Sequence, residues 1–280
     1  VAGSETVRLL DAAARTTAIL RREGEADWRA VAVDDRGELA AAGNNRGTIC
    51  LWDVRTGTVR MARKVDGRIG AGQLAISPDG KKLAATVWQQ PGDAAWTFDT
   101  AAGELLHLLP AEGCRVVAFS PDGSRLAVDC ENDILVWDVA EGILRGTWRG
   151  HTSTIYAIAF SPDGRLAASG GDDRNICVRD AGTGEMRCIL TGHRDCVESI
   201  AFSPDGRTLA TADHGGCLKL WHLATGRELL DLATEAIPIH HVAFSPDGGR
   251  LVYRFANGIV RTLHIPGIEP PEKNSRSKAD

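Results

Sequence analysis

The sequence predicts an all-β fold built by tandem repetition of one four-stranded unit. Three observations carry the prediction. The tetrapeptide Ser-Pro-Asp-Gly starts at Ser77, Ser120, Ser161, Ser203 and Ser245, at intervals of 43, 41, 42 and 42 residues, and a degenerate copy starts at Asp34, 43 residues before the first. A second mark, Trp-Asp or a variant of it, follows each copy after a near-constant interval. The apolar runs between these marks are short, and none carries a helical period over a helix length. A fixed period takes precedence over length, so the 280-residue chain is expected to hold one domain over residues 1–265 rather than two.

Each unit reads the same way. An apolar run such as Ile-Tyr-Ala-Ile-Ala-Phe (residues 155–160) is the first strand, and Leu-Ala-Ala-Ser (166–169) begins the second. The tetrapeptide joins them as a tight turn: proline sets φ, aspartate bonds nearby backbone, and glycine accepts φ > 0. The third strand ends on the second mark. Trp52-Asp53, Arg179-Asp180, Trp221-His222 and Leu263-His264 lie eighteen residues after the start of their turns; Trp137-Asp138 lies seventeen after and Phe98-Asp99 twenty-one, so the Ser77 unit carries a three-residue insertion. Gly57, Gly103, Gly142, Gly184 and Gly226 then mark a second corner, and a fourth strand such as Glu-Met-Arg-Cys-Ile-Leu (185–190) closes the unit.

A four-stranded unit of this period with a Trp-Asp mark, joined in two units by Gly150-His151 and Gly192-His193 ahead of the first strand, resembles the WD40-repeat β-propeller family, in a bacterial style rich in Ser-Pro-Asp-Gly turns. The resemblance covers residues 3–265. In that family a histidine, a hydroxyl residue, an aspartate and the tryptophan form a hydrogen-bonded tetrad that braces each blade. Carried over by position, the resemblance implies His151, Ser169 and Asp173 with Arg179 in place of the tryptophan. In the next unit it implies His193, Thr211 and Trp221 with Gly215 where the aspartate should be. The Ser120 unit keeps Trp137 and Glu131, with Pro110 and Ala127 for the histidine and the hydroxyl; Trp52 marks the first full unit. On this count no blade is complete, and stability is expected to come mainly from packing between blades.

The chain ends bear on the number of blades. Thr-Val-Arg-Leu-Leu-Asp, from Thr6, aligns with the third strand that starts at Thr48, placing Leu10 at the tryptophan and Asp11 at the aspartate. Residues 5–10 are thus expected to be a third strand and 15–21 a fourth, a half blade over residues 3–22. The last unit supplies three strands. Two adjacent prolines and a charged tail argue against a fourth, so residues 266–280 are expected to be disordered. The expected architecture is a seven-bladed type with its first blade half missing; the alternative is a closed six-bladed ring in which residues 15–21 complete the last blade.

Composition narrows the function. The net charge of −5 gives no basic face for nucleic acid, and no apolar run reaches the roughly 18 residues that span a bilayer, so neither partner is expected. The seven cysteines include no Cys-x-x-Cys pair and read as small buried residues, which suits a reducing, cytoplasmic setting. His240-His241 is no ligand pair, because neighbouring strand residues point to opposite faces. No nucleophile elbow, phosphate loop or dinucleotide fingerprint is present. No enzymatic activity, cofactor or metal is therefore expected.

What remains is a rigid scaffold with variable loops. The family resemblance places the residue just after the start of each first strand at the rim of one face: Arg29, Gly72, Arg115, Tyr156, Glu198 and His240. A second rim position falls at Asn45, Trp88, Cys130, Asp172, His214 and Ala256. This ring is chemically mixed, which suits one irregular protein or peptide partner rather than a symmetric ligand, and it holds residue types that carry interface energy. Trp88 has two readings, a cover for its own blade or a partner-binding anchor; Trp28, Trp96 and Trp148 read as core. The function expected is a non-catalytic interaction scaffold, monomeric unless an open blade edge pairs with another chain. The alternative is a regulatory or sensor module of a larger protein.

Overall fold

The computed structural model describes residues 6–10, 16–25, 27–34, 36–65, 68–88, 92–233 and 236–265; the expected tail at 266–280 lies outside them. The described residues form strands and turns with no helix. β1 (Val7–Leu10) and β2 (Thr16–Leu20) make a two-stranded sheet. Blade 1 is β3 (Trp28–Val33), β4 (Leu39–Asn44), β5 (Thr48–Asp53) and β6 (Val59–Lys64). Blade 2 is β7 (Arg68–Ile76), β8 (Lys82–Trp88), β9 (Ala94–Asp99) and β10 (Leu105–Pro110). Blade 3 is β11 (Val117–Phe119), β12 (Arg125–Cys130), β13 (Asp133–Asp138) and β14 (Leu144–Trp148). Blade 4 is β15 (Ile155–Phe160), β16 (Leu166–Gly171), β17 (Ile176–Asp180) and β18 (Met186–Leu190). Blade 5 is β19 (Val197–Phe202), β20 (Thr208–Asp213), β21 (Cys217–His222) and β22 (Arg227–Ala233). Blade 6 is β23 (Ile239–Phe244), β24 (Arg250–Phe255) and β25 (Val260–His264). Each sheet is an antiparallel meander in chain order, and the six blades form a β-propeller.

The repeated turn explains why the meander recurs. In blade 2 the Ser77 hydroxyl donates to Asp79 Oδ1 at 2.6 Å and accepts the Lys82 N–H at 2.9 Å, while Gly80, at φ 73°, donates its N–H to the Ser77 carbonyl. The same serine–aspartate brace closes the turns at Ser120, Ser161, Ser203 and Ser245. The degenerate copy works by substitution: the Asp34 carboxylate accepts the Leu39 N–H at 2.7 Å, as the serine hydroxyl does elsewhere. At the second corner the aspartate of the Trp-Asp mark caps the turn and pairs with an arginine seven residues on, Asp53 with Arg60, Asp138 with Arg145 and Asp180 with Arg187.

The core lies between blades. Strand alternation gives each blade two faces, and the second strand is covered on both: all six residues of β4 and of β20 are buried. Leu39 and Leu51 of blade 1 meet Leu74, Leu83 and Phe98 of blade 2. Ile176 and Val178 of blade 4 meet Val197, Leu209 and Trp221 of blade 5. Leu218 and Leu220 meet Ile239, Leu251 and Phe255 of blade 6. Each such leucine or isoleucine contributes about 1.5–3 kcal/mol by leaving water. Trp28 and Trp148 are buried, and Trp96 packs partly buried against the blade 1–blade 2 core.

The N-terminal pair is seated the same way, with Val7 and Leu20 packed on Trp28, Ala40, Cys50 and Trp52 of blade 1. Six larger sheets match the count of the six-bladed alternative. Among the described residues β2 pairs with β1, and β25 pairs with β24.

Candidate functional site

The first rim position owes its geometry to a backbone irregularity. In β3, β15, β19 and β23 the register with the next strand shifts across one residue, which is Arg29, Tyr156, Glu198 and His240 respectively. A bulge of this kind inserts one residue and re-aims its side chain. In β7 the irregularity is longer, between Ile69 and Leu74, and includes Gly72. Arg115 lies just ahead of β11, where its N–H and that of Val116 donate to Asp129 Oδ1 at 2.6 and 2.7 Å.

The second rim position sits beside the first because the hairpin is antiparallel: Val197 pairs with Asp213, and Ile155 with Gly171. Asn45, Asp172, His214 and Ala256 therefore occupy the turns next to the bulges, and Cys130 ends β12. Trp88 ends β8, its backbone opposite Arg68; its side chain lies outside the described residues.

Blades 3 to 6 bring their rim residues into one neighbourhood. His214 donates from Nδ1 to Glu198 Oε1 at 3.1 Å, and its ring stacks on His240 with centroids 6.2 Å apart and planes 29° from parallel. Burial pushes the Tyr156 hydroxyl up, with the charge of Asp172 adding to it and Arg115 opposing. Burial lowers the His240 imidazole despite the nearby Glu198 carboxylate. Asp172 accepts a hydrogen bond from the Ser153 hydroxyl at 3.0 Å. Among the described residues no interaction joins Arg29 or Asn45 to this group. Cys196, two residues ahead of Glu198, is part of it: its thiol lies 3.7 Å from Glu198 Oε1, and its carbonyl accepts the His214 N–H at 2.9 Å. Reading every cysteine as a buried filler hid it.

Below this rim the blades are braced unequally. In blade 5 the Trp221 indole N–H donates to Thr211 at 2.8 Å, Thr211 bonds His193 Nε2 at 2.7 Å, and His193 Nδ1 bonds Asp213 Oδ2 at 2.8 Å. This tetrad is complete, which corrects the expectation that no blade would be. The carboxylate comes from Asp213, not from the position of Gly215, because Leu209, Thr211 and Asp213 alternate onto one face of β20. Burial pushes the Asp213 carboxyl up, but the bonds from His193 and the Cys217 N–H outweigh it and hold the carboxyl low. In blade 4, His151 bonds Ser169 at 2.8 Å and Asp173 at 2.9 Å. Here the β16 position is Gly171, where a Cβ would meet the Thr154 carbonyl oxygen at 2.0 Å, so the turn supplies the carboxylate. Arg179 replaces the tryptophan and donates to the carbonyls of Arg149 and Gly184.

Two tryptophans assigned to bracing do not join a tetrad. Trp52 donates to the Arg21 carbonyl at 3.2 Å, and blade 1 is tied instead by Glu25, which accepts from Asn44 and Thr48. Trp137 has no partner for its N–H among the described residues. Pairing of Phe119 with Leu126 puts Val128, not Ala127, at the hydroxyl position.

A family model described as "WD domain, G-beta repeat" matches residues 142–180 and 184–222. The chain is 32% identical over 148 residues to WD repeat-containing protein SL1-17 of Schistosoma mansoni, covering 52% of this chain and 48% of that protein. It is 45% identical over 60 residues to the intraflagellar transport protein 122 homolog of Danio rerio, 21% of this chain and 5% of that protein. It is 28% identical over 138 residues to Topless-related protein 1 of Arabidopsis thaliana, 46% of this chain and 12% of that protein. The chain thus spans less than half the length of each of these relatives, and none of these three names is that of an enzyme. No described helix is long and apolar enough to cross a membrane.

Proposed function

Because the chain belongs to the WD40-repeat β-propellers, we propose that it is a non-catalytic interaction scaffold that presents the rim of blades 3 to 6 to a protein or peptide partner. One observation carries this reading. Bulges in three consecutive blades tip Tyr156, Glu198 and His240 to the end where Asp172 and His214 stand, so a mixed polar and aromatic surface is held on rigid strands. Such a surface discriminates between partners by charge and by one or two aromatic anchors. Seven cysteines, none of them in a disulfide, support a reducing compartment such as the cytoplasm. The small fractions of the Danio and Arabidopsis relatives that match favour a second reading, in which the propeller is the interaction module of a longer polypeptide.

The experiment is affinity capture from an extract of the source cells, comparing the native chain with Tyr156→Ala and Glu198→Lys and with Arg187→Ala at the opposite corner of blade 4. A rim partner is lost with the first two and kept with the third. For Tyr156→Ala the loss expected of an aromatic anchor is about 2 kcal/mol, roughly thirtyfold in Kd. A partner bound equally by native and rim variants overturns the assignment to this rim.

A further inference from the structure

The Cys196–Glu198–His214 group has the composition and shape of a metal site, and the geometry points to a zinc-class divalent cation bound at the rim of blade 5 by the Cys196 thiolate, the Glu198 carboxylate and the His214 imidazole. One ligand atom from each lies within 4.8 Å of the other two. Two edges of that triangle are 3.1 Å, nitrogen to oxygen, and 3.7 Å, sulfur to oxygen. Ordinary zinc–ligand bond lengths at tetrahedral angles call for edges of about 3.4 and about 3.6 Å. The ion would replace the proton now shared between His214 and Glu198, together with the thiol proton of Cys196.

The three ligands are held on backbone that is already paired. The His214 N–H bonds the Cys196 carbonyl at 2.9 Å, Val197 pairs with Asp213, and the β19 bulge turns Glu198 toward the turn that carries His214. Little has to be ordered when an ion arrives. A thiol gives up its proton when a metal binds it, so binding would release the Cys196 proton. His214 is half exposed, which leaves a solvent-facing fourth position, with His240 stacked beside it.

The donor set selects the metal. One sulfur, one nitrogen and one carboxylate suit zinc, whereas calcium and magnesium require several oxygens. The neighbouring group His193, Asp213 and Cys217 has similar spacing but is spoken for. Both ring nitrogens of His193 are bonded, and the two oxygens of Asp213 take His193 and the Cys217 N–H. This inference stands on the cluster alone, whether or not a protein docks on the rim.

The test uses the full chain, reduced and free of any tag, titrated with zinc chloride alone by calorimetry and with cobalt(II) alone by visible absorption. The expected result is one equivalent of saturable zinc. Cys196→Ser and His214→Ala should each weaken it at least tenfold, and Cys217→Ser should leave it unchanged. Cobalt should give a thiolate charge-transfer band that Cys196→Ser removes. Circular dichroism checks that each variant folds, and Glu198→Gln, expected to weaken binding as well, stands in for one that does not. Absence of saturable binding overturns the proposal. So does binding that survives in Cys196→Ser and His214→Ala, or binding abolished by Cys217→Ser.

Discussion

Blades 3 and 5 are built on the same strand plan and are held together by different chemistry. In blade 5 four polar side chains run in one chain from the Trp221 indole through Thr211 and His193 to Asp213, all buried and all bonded. In blade 3 the matching positions are apolar or weakly polar, Val128 for the threonine and Cys130 for the aspartate, and the Trp137 N–H is left without a partner among the described residues. Blade 3 compensates from another direction. Asp129, on the opposite face of the same strand, draws in the N–H groups of Arg115 and Val116 and ties down the approach to β11. A propeller blade therefore tolerates the loss of its polar brace when the apolar faces between blades are intact, and a buried polar network fixes one arrangement without being the main source of stability.

The largest expected difference between the two blades comes from cutting the brace. Asp213→Ala strands His193 with no acceptor and removes the cap on the Cys217 N–H, so urea unfolding should show a loss of about 4 kcal/mol. The matching change in blade 3, Cys130→Ala, removes a partly buried thiol that bonds the Glu112 backbone and braces no side chain, and should cost less than about 1 kcal/mol. Equal losses would mean that the blade 5 network contributes nothing beyond packing.

The next effect is a pH dependence that belongs to blade 3. Burial pushes the Asp129 carboxyl up to about 7, against the pull of the Val116 and Arg115 N–H groups, and one of its oxygens has no partner among the described residues. In the unfolded chain the same group titrates near 3.9. Between these values the folded protein holds a proton that the unfolded chain has released. Stability contributed here is fully present below about pH 4 and is lost as pH rises to about 7. Between pH 5 and pH 8 the native chain should lose about 3 kcal/mol by urea titration. Asp129→Asn, which keeps the oxygen that accepts the two N–H groups, should flatten that slope. A slope unchanged in the variant would place the titrating group elsewhere.

The propeller was legible in the sequence because its turns are local devices. Proline, aspartate and glycine at fixed offsets specify the hairpin whatever surrounds it, and even Asp34 does the work of the missing serine through its own carboxylate. The brace of blade 5 was less legible. Counting residues by a constant offset leads to Gly215, whereas the carboxylate depends on which residues of β20 share a face, and that depends on where the strand ends. The Cys196 cluster was not legible at all. Residues 196 and 214 meet only through the antiparallel register of β19 and β20, and Glu198 joins them only through a bulge. Spacing along the chain carries neither fact.

The smallest effect is a difference in size between two identical substitutions. Trp221→Phe removes an N–H that donates to Thr211 at 2.8 Å, so it loses a made hydrogen bond along with part of a buried ring. Trp137→Phe loses the same part of a ring, but the N–H it removes is buried with no acceptor among the described residues. An unmade buried donor costs about 1–3 kcal/mol, and a made hydrogen bond contributes about 1 kcal/mol. The ring-volume cost enters both variants and largely cancels in their difference. Trp221→Phe should therefore be the more destabilising by about 2 kcal/mol, read from the two urea midpoints at constant slope. Adding Val128→Thr to the native chain sharpens the comparison, since it sets a hydroxyl where Thr211 stands in blade 5. If Trp137→Phe proves as costly as Trp221→Phe, the Trp137 N–H finds an ordered water in solution, and blade 3 is braced by solvent where blade 5 is braced by side chains.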